Sequence, residues 1–410
     1  MKFSERDIYK QLQRMHINSK DIDVNKDFYG SSPPSVFIGS KLSYPNVNVG
    51  LMSLTDLDKE AWMHNSPNTW SEQELEIKQI VKLRQQLINS RFKSNTYAIT
   101  KSSTSRQESR FLTTLQELGM SLAQADVEVQ LAKKPKPLLE FSQHHLPIGP
   151  SAQLRNLRLA SNTKISPKVD KVYFDTDLKA VDAISYLSSK GFNEHQLTQL
   201  LSVGIMGRKK NRKLVPTRFS ITATDDQLGR LLITQIKNYK QIENYELYYG
   251  GHLGNFYIII LMPDIFSYEL FEMLVKNSST NNLGEIAHDY ENHRGRKAYV
   301  SETAGGYYAA RLPILQLLNK QKRQASVLCL RFTLPSYNVP LGVWVCRNSV
   351  RKSLTNQQAH RAFDTKLALL NYAKALAKRD FGIDINFIIK KTSKLLSEQR
   401  TQKRLTEWFE

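Results

Sequence analysis

A chain of 410 residues with 40% apolar and 23% charged side chains has material for two or three folded domains, and it excludes a disulfide-stapled miniprotein and wholesale disorder. The charge is lopsided: 58 Lys and Arg against 38 Asp and Glu give +20, a balance that favours polyanionic partners, nucleic acid first among them. The longest apolar run, Phe256–Met262, is far short of the roughly 20 residues that cross a bilayer, so no membrane span is expected.

Charges are scattered through MKFSERDIYKQLQR, where a secretion signal would need an apolar core, and a cytoplasmic, chromosome-associated protein is the expectation. From Gly30 to Gly50, Gly, Pro, Asn and Ser are mixed with β-branched residues, which predicts short extended pieces and turns. Across Ser71–Asn89, Leu75, Ile77, Ile80, Val81, Leu83, Leu87 and Ile88 recur at helical spacing behind a Ser71/Glu74 capping box, which predicts a helix. Lys93–Ser109, rich in Ser and Thr, reads as a flexible connector.

After a Pro-rich bridge, KKPKPLLEFSQHHLPIGPS, the segment KVYFD reads as a strand and LKAVDAISYL as a helix. Leu228, Leu231, Leu232 and Ile236 mark one face of a further helix, Asp225–Tyr239. Tyr245–Tyr249 and Phe256–Met262 read as a hairpin, with Val327–Phe332 and Val343–Cys346 as two more strands. Cys329 and Cys346, the two cysteines, stand in apolar contexts that predict buried core positions. Ala359, Phe363, Leu367, Leu370, Ala373 and Leu376 fit an amphipathic helix, and a second is expected through Ile385–Leu396. The expected fold class is α+β. It comprises an N-terminal region (1–110), a central domain of mixed helices and antiparallel hairpins (111–350), C-terminal helices (351–397) and a flexible tail (398–410).

That tail carries Gln402, Leu405, Trp408 and Phe409 in the spacing Gln-x-x-aliphatic-x-x-aromatic-aromatic. Leu405, Trp408 and Phe409 stand at i, i+3 and i+4, so a single helical turn gathers three large apolar side chains into a plug. Two adjacent aromatics on a tail call for a partner that buries them. The pattern resembles the PCNA-interacting peptide, or PIP motif. The resemblance implies that the plug enters an apolar pocket of the sliding clamp PCNA and Gln402 an adjoining polar one.

Between Gly204 and Arg218 stand six cations and no acidic residue: Arg208, Lys209, Lys210, Arg212, Lys213 and Arg218. Two glycines allow close backbone approach there, and contact with nucleic-acid phosphates is the natural use. Carboxylates cluster at Asp175 and Asp177, at Asp225 and Asp226, and at Asp289 and Glu291. If Asp175, Asp177, Asp289 and Glu291 converged they could hold Mg²⁺ or Mn²⁺, as a two-metal nuclease requires; caps and first-turn charges of helices are the alternative use. Thr303–Arg311 places Gly305-Gly306 before a helix start, with Tyr307 or Tyr308 available to stack on a base or to pack in a core. His144, His145 and His288 lack the HExxH spacing of a metal site, and no GxxxxGK[ST] occurs, which argues against an ATP-driven motor.

Long blocks of the sequence, in order, resemble the Nre family of archaeal DNA repair proteins. They include PPSVFIGSKLSYPNVNVG from Pro33, LPIGPSAQL from Leu146, LLSVGIMGRKKNRKLVPTRFSITATDDQLG from Leu200, AHDYENHRGRKAYVSETAGGYYAARLPILQLL from Ala287 and YNVPLGVWVCRNSVRKSL from Tyr337. The resemblance spans roughly 33–354. It implies a DNA-damage role and, for members of the NreA type, a C-terminal clamp-binding motif, which here would be Gln402–Phe409. Many members begin with a cysteine cluster that suggests zinc; this chain has none, and no zinc module is expected. The resemblance supplies no reaction, so a DNA-binding repair factor, a metal-dependent nuclease and an RNA-binding protein stay open on the residues alone.

Overall fold

Two six-stranded sheets organise the chain, each in its own compact unit, in the computed structural model, which describes residues 4–15, 17, 25–100, 104–276 and 283–401. One unit is Phe3–Leu228 with Val339–Gly342; the other is Gly229–Asn338 with Val343–Glu410. The mixture of helices and mainly antiparallel strands is the expected α+β class.

The first unit runs α1 (Glu5–Arg14), β1 (Asp27–Ser32), β2 (Val36–Ile38), β3 (Asn46–Ser53), α2 (Pro67–Glu72), α3 (Ile77–Gln85), β4 (Ile88–Asn95), α4 (Arg106–Met120), β5 (Ala125–Leu131), β6 (Ser151–Leu159), α5 (Pro167–Phe174), α6 (Ala180–Ser189) and α7 (Glu194–Ser202). Its sheet has the order β1-β5-β6-β4-β3-β2, antiparallel except for the parallel β4–β6 pair. Alternation sorts β4: Ile88, Ser90 and Phe92 turn inward, and the Phe92 ring meets Phe111 of α4 at 5.3 Å between centroids. Arg91 and Lys93 turn outward to solvent.

Three expectations in this unit are corrected. Ser71–Asn89 is not one helix: Glu74 takes φ 55°, breaking it into α2 and α3, and the capping box belongs to Glu76 and Gln79. Ile88 opens β4, paired with Ser53, and Leu87 before it joins a core cluster with Met52, Leu54 and Ala61, so strand pairing overrides a spacing that helix and strand share. KVYFD lies in α5, because Ser166 caps the Lys168 N–H and Pro167 fits the first helical turn, while Val169 and Val172, three apart, are buried together. The Ser/Thr-rich stretch holds the end of β4 and the start of α4, whose cap is Ser105; residues 101–103 within it lie outside the described residues.

The boundary between the units falls within α8 (Thr217–Ile236). This helix begins before Asp225, so Asp225 and Asp226 occupy its middle and not its first turn. Then follow β7 (Lys240–Gln241), β8 (Tyr245–His252), β9 (Asn255–Met262), β10 (Ser267–Val275), β11 (Leu283–Glu291), α9 (Ala304–Gln321), β12 (Arg323–Gln324), β13 (Ser326–Thr333), α10 (Trp344–Thr355), β14 (Arg361–Phe363), α11 (Lys366–Phe381), a π-helical turn (Ile388–Thr392) and α12 (Lys394–Thr401).

The second sheet has the order β11-β10-β13-β9-β8-β14, with β10–β13 its parallel pair. One face, including Ile258, Ile260, Phe271, Leu328 and Phe332, is buried with Leu369, Leu376, Phe381, Ile388 and Leu395 of the C-terminal helices. On the other face Tyr268 of β10 meets Tyr307 of α9 at 4.9 Å, and α10 packs on β8 and β9. Burial on both faces explains why Phe256–Met262 is a continuous apolar run without alternation. The expected hairpin is present, and its turn is only Leu253-Gly254, both at positive φ as a two-residue primed turn requires.

Val343–Cys346 is corrected from strand to helix, since it opens α10; four apolar residues do not distinguish a strand from a buried helix turn. Cys329 and Cys346 are both buried free thiols, as expected, and burial pushes both pKa values up, which keeps them unreactive. The amphipathic helix expected from Ala359 begins at Lys366 instead, because Arg361–Phe363 add a strand beside β8.

Candidate nucleic-acid interface

The basic loop between α7 and α8 is shaped by Gly204 and Gly207, both at positive φ, followed by a 3₁₀ turn over Lys209–Asn211. Arg208, Lys209, Lys210, Lys213 and Arg218 are exposed. Arg212 is different. Its buried guanidinium donates to the Gly207, Tyr173, Val172 and Asp175 carbonyls at 2.7, 2.6, 3.2 and 2.7 Å, so it holds the loop against the end of α5. Lys213 lies over the Tyr97 ring, 5.6 Å from its centroid, and the Tyr97 hydroxyl meets that of Tyr44 at 2.6 Å. Arg218 stacks on Phe219 at 4.5 Å.

Arg218 also lines a cleft that the sequence reading missed, whose cations include Lys41 and Arg91 and whose volume is about 170 Å³. Its histidine wall is held neutral. Burial and the nearby Arg218 charge lower the pKa of His144, and burial brings His145 down to about 4. Behind it, Arg84 is fully buried, with its guanidinium donating to the Pro147 and His64 carbonyls at 2.8 and 2.9 Å. Burial brings that arginine down to about 9. The available signal was the alternation Asn89-x-Arg91-x-Lys93, which puts three polar side chains on one face of a strand.

The carboxylates are engaged locally and divide between the two units. Asp175 ends α5 and accepts the Asp177 and Leu178 N–H groups, and Asp177 is exposed. Asp289 accepts the N–H groups of Ser301, Glu302 and Thr303 at 3.1, 3.0 and 2.9 Å, with both neighbouring hydroxyls. Burial opposes its charge, but these donors outweigh burial and hold its pKa below the usual value. Glu291 is ion-paired to buried Arg311 at 2.7 Å. Among the described residues no group of three His, Cys, Asp or Glu side chains could hold a metal ion. Tyr307 and Tyr308 are buried in α9, so they pack the core and do not stack on a base. Gln402, Leu405, Trp408 and Phe409 lie outside the described residues. No helix among the described residues is long and apolar enough to cross a membrane.

Comparison with known proteins defines the class. The chain matches the model "Archaeal Nre, N-terminal" over residues 3–281 and "Archaeal Nre, C-terminal" over 291–408. It therefore belongs to the Nre family. A DNA repair protein NreA from Archaeoglobus fulgidus is 36% identical over 352 residues, 85% of either chain. A DNA repair protein NreA from Haloferax volcanii is 34% identical over 81% of this chain and 79% of its own length. A DNA repair protein NreB from Archaeoglobus fulgidus is 32% identical over 93% of this chain and 92% of its own. No solved structure matches. The first match ends after β10 and the second begins at the end of β11, and β9 and β10 of the first pair with β13 of the second, so one sheet draws strands from both matched regions.

Proposed function

We propose that the chain is a DNA repair factor that binds DNA through exposed cations and is recruited to the sliding clamp PCNA by Gln402–Phe409. The observation that carries this reading is membership of a family whose matched relatives bear the name DNA repair protein. A net charge of +20 supplies attraction to the phosphate backbone, and Arg208, Lys209, Lys210, Lys213 and Arg218 are the loop's exposed share of it. Leu405, Trp408 and Phe409 form the plug that a clamp pocket would bury, and Gln402 supplies the directional hydrogen bond beside it.

The test is a calorimetric titration of the organism's clamp with the full chain, a chain ending at Thr401, and the triple variant Leu405→Ala, Trp408→Ala, Phe409→Ala. Truncation after α12 keeps the contacts that seat that helix: Glu269 accepts the Lys394 and Leu395 N–H groups at 2.9 and 3.3 Å, and Gln399 donates to Asp264 and Ser326. Binding that is lost in both altered chains supports recruitment by the tail; equal binding by all three sinks it. Competition between duplex DNA, single-stranded DNA and RNA at fixed salt tests the nucleic-acid half.

A further inference from the structure

A second cleft of the first unit has a volume of about 540 Å³, within the range that holds small organic ligands, and none of the basic loop's cations lines it. Trp62, 42% exposed, stands in its wall on a 3₁₀ turn over Ala61–Asn65. The backbone of that residue is pinned at both ends: its N–H donates to Gln124 Oε1 at 3.2 Å, and its carbonyl accepts the Ser66 hydroxyl at 2.7 Å. A large indole left open on a fixed turn is a stacking platform, because little freedom is lost when a flat ligand covers it.

Gln196 and Gln199, three apart on α7, line the same cleft, and each amide is half used. Gln196 Oε1 accepts the Asn193 N–H at 3.0 Å and Gln199 Nε2 donates to the Gly119 carbonyl at 3.1 Å, so among the described residues the Gln196 Nε2 donor and the Gln199 Oε1 acceptor have no partner. Phe192 adds a second ring to the lining, no carboxylate lines it, and exposed Lys59 is its one lysine or arginine. A small anionic ligand calls for more cations than that, and a purely apolar one would leave both amides unmet. A ring with two apolar faces and an edge of donors and acceptors matches the whole set. We propose that this cleft takes an unstacked base of single-stranded DNA, its face on the Trp62 indole and its edge on Gln196 and Gln199, with Lys59 meeting an adjoining phosphate. The bases of a duplex are paired and stacked, so the cleft selects single strands. This inference rests on the DNA-binding reading above.

Tryptophan fluorescence of the full chain, titrated at fixed salt with oligothymidylate, with the same strand made abasic and with a duplex, tests it. Oligothymidylate is expected to quench the wild type, and the abasic strand and the duplex to leave this indole's signal unchanged. Trp62→Ala, at an exposed position, is expected to weaken oligothymidylate binding about tenfold, the scale of one base stacked on an aromatic ring. Trp62→Phe should remove most of the quench while binding more tightly than Trp62→Ala, because a smaller ring still stacks. An abasic strand bound as tightly as oligothymidylate, or Trp62→Ala binding as tightly as the wild type, overturns the proposal while leaving DNA binding in place. Failure of the wild type to bind any of the DNAs overturns the DNA-binding reading itself. Tighter binding of oligouridylate, with the same quench, assigns the cleft to RNA and also overturns the proposal.

Discussion

Acidification should loosen the first unit through one side chain. His145 is 9% exposed; its Nδ1 lies 2.8 Å from the Leu146 carbonyl, and its ring packs edge-on against Phe37 at 4.8 Å. Burial brings its pKa from 6.5 to about 4 against the smaller pull of the Leu146 carbonyl and Glu140, with a minor contribution from the neighbouring Arg84. The folded state therefore holds this imidazole neutral in a range where the unfolded chain protonates it. Stability is complete above about pH 6.5 and is lost as the pH falls towards about 4. At 1.36 kcal/mol per unit, the loss from this group is about 2 kcal/mol at about pH 5 and about 3 kcal/mol at about pH 4. His145→Asn keeps a donor for the Leu146 carbonyl and cannot be protonated. Hydrogen exchange of β3 and β4 amides, read by mass spectrometry at about pH 7 and about pH 5 and corrected for intrinsic rates, isolates this unit. The wild type should lose about 2 kcal/mol of protection that the variant keeps, with His144 present in both. Equal losses in the two proteins would refute the argument.

Three further outcomes follow from the second unit. Asp289→Asn sets an amide against donors that a carboxylate now accepts, and should cost about 2–3 kcal/mol in urea unfolding. Mg²⁺ or Mn²⁺ should leave the melting temperature of the wild type unchanged; a cation-dependent rise that vanishes in the variant would restore a metal role for this carboxylate. Gly306→Ala would bring a Cβ within 2.4 Å of Glu272 Oε1, which pairs with Arg331 at 2.6 Å. That strain on a partly buried pair should cost about 1–3 kcal/mol in the same assay, and a variant as stable as the wild type would show that the pair can move aside.

Much of this protein was legible in its sequence because the signals were local or redundant. The hairpin at Leu253-Gly254, the apolar strand behind it, the helix over Ala180–Ser189 and the burial of both cysteines follow from spacing and turn chemistry that act within a few residues. Membership of the Nre family was also legible, because long blocks in fixed order survive whatever the helix and strand assignments are. Short ambiguous segments were not legible. KVYFD and Val343–Cys346 have compositions that suit either a strand or a buried helix; the Ser166 cap and Pro167 upstream start the helix in the first case, and burial within α10 accompanies it in the second. The sequence determined how much positive charge the molecule carries, but only the fold decided its uses. It buried Arg212 to tie a loop, paired Arg311 with Glu291, and drew Lys41, Arg91 and Arg218 to one cleft from segments far apart in the chain. Cross-strand register placed Gly50 opposite Arg91 and beside Asn89, a long-range pairing that no local pattern encodes.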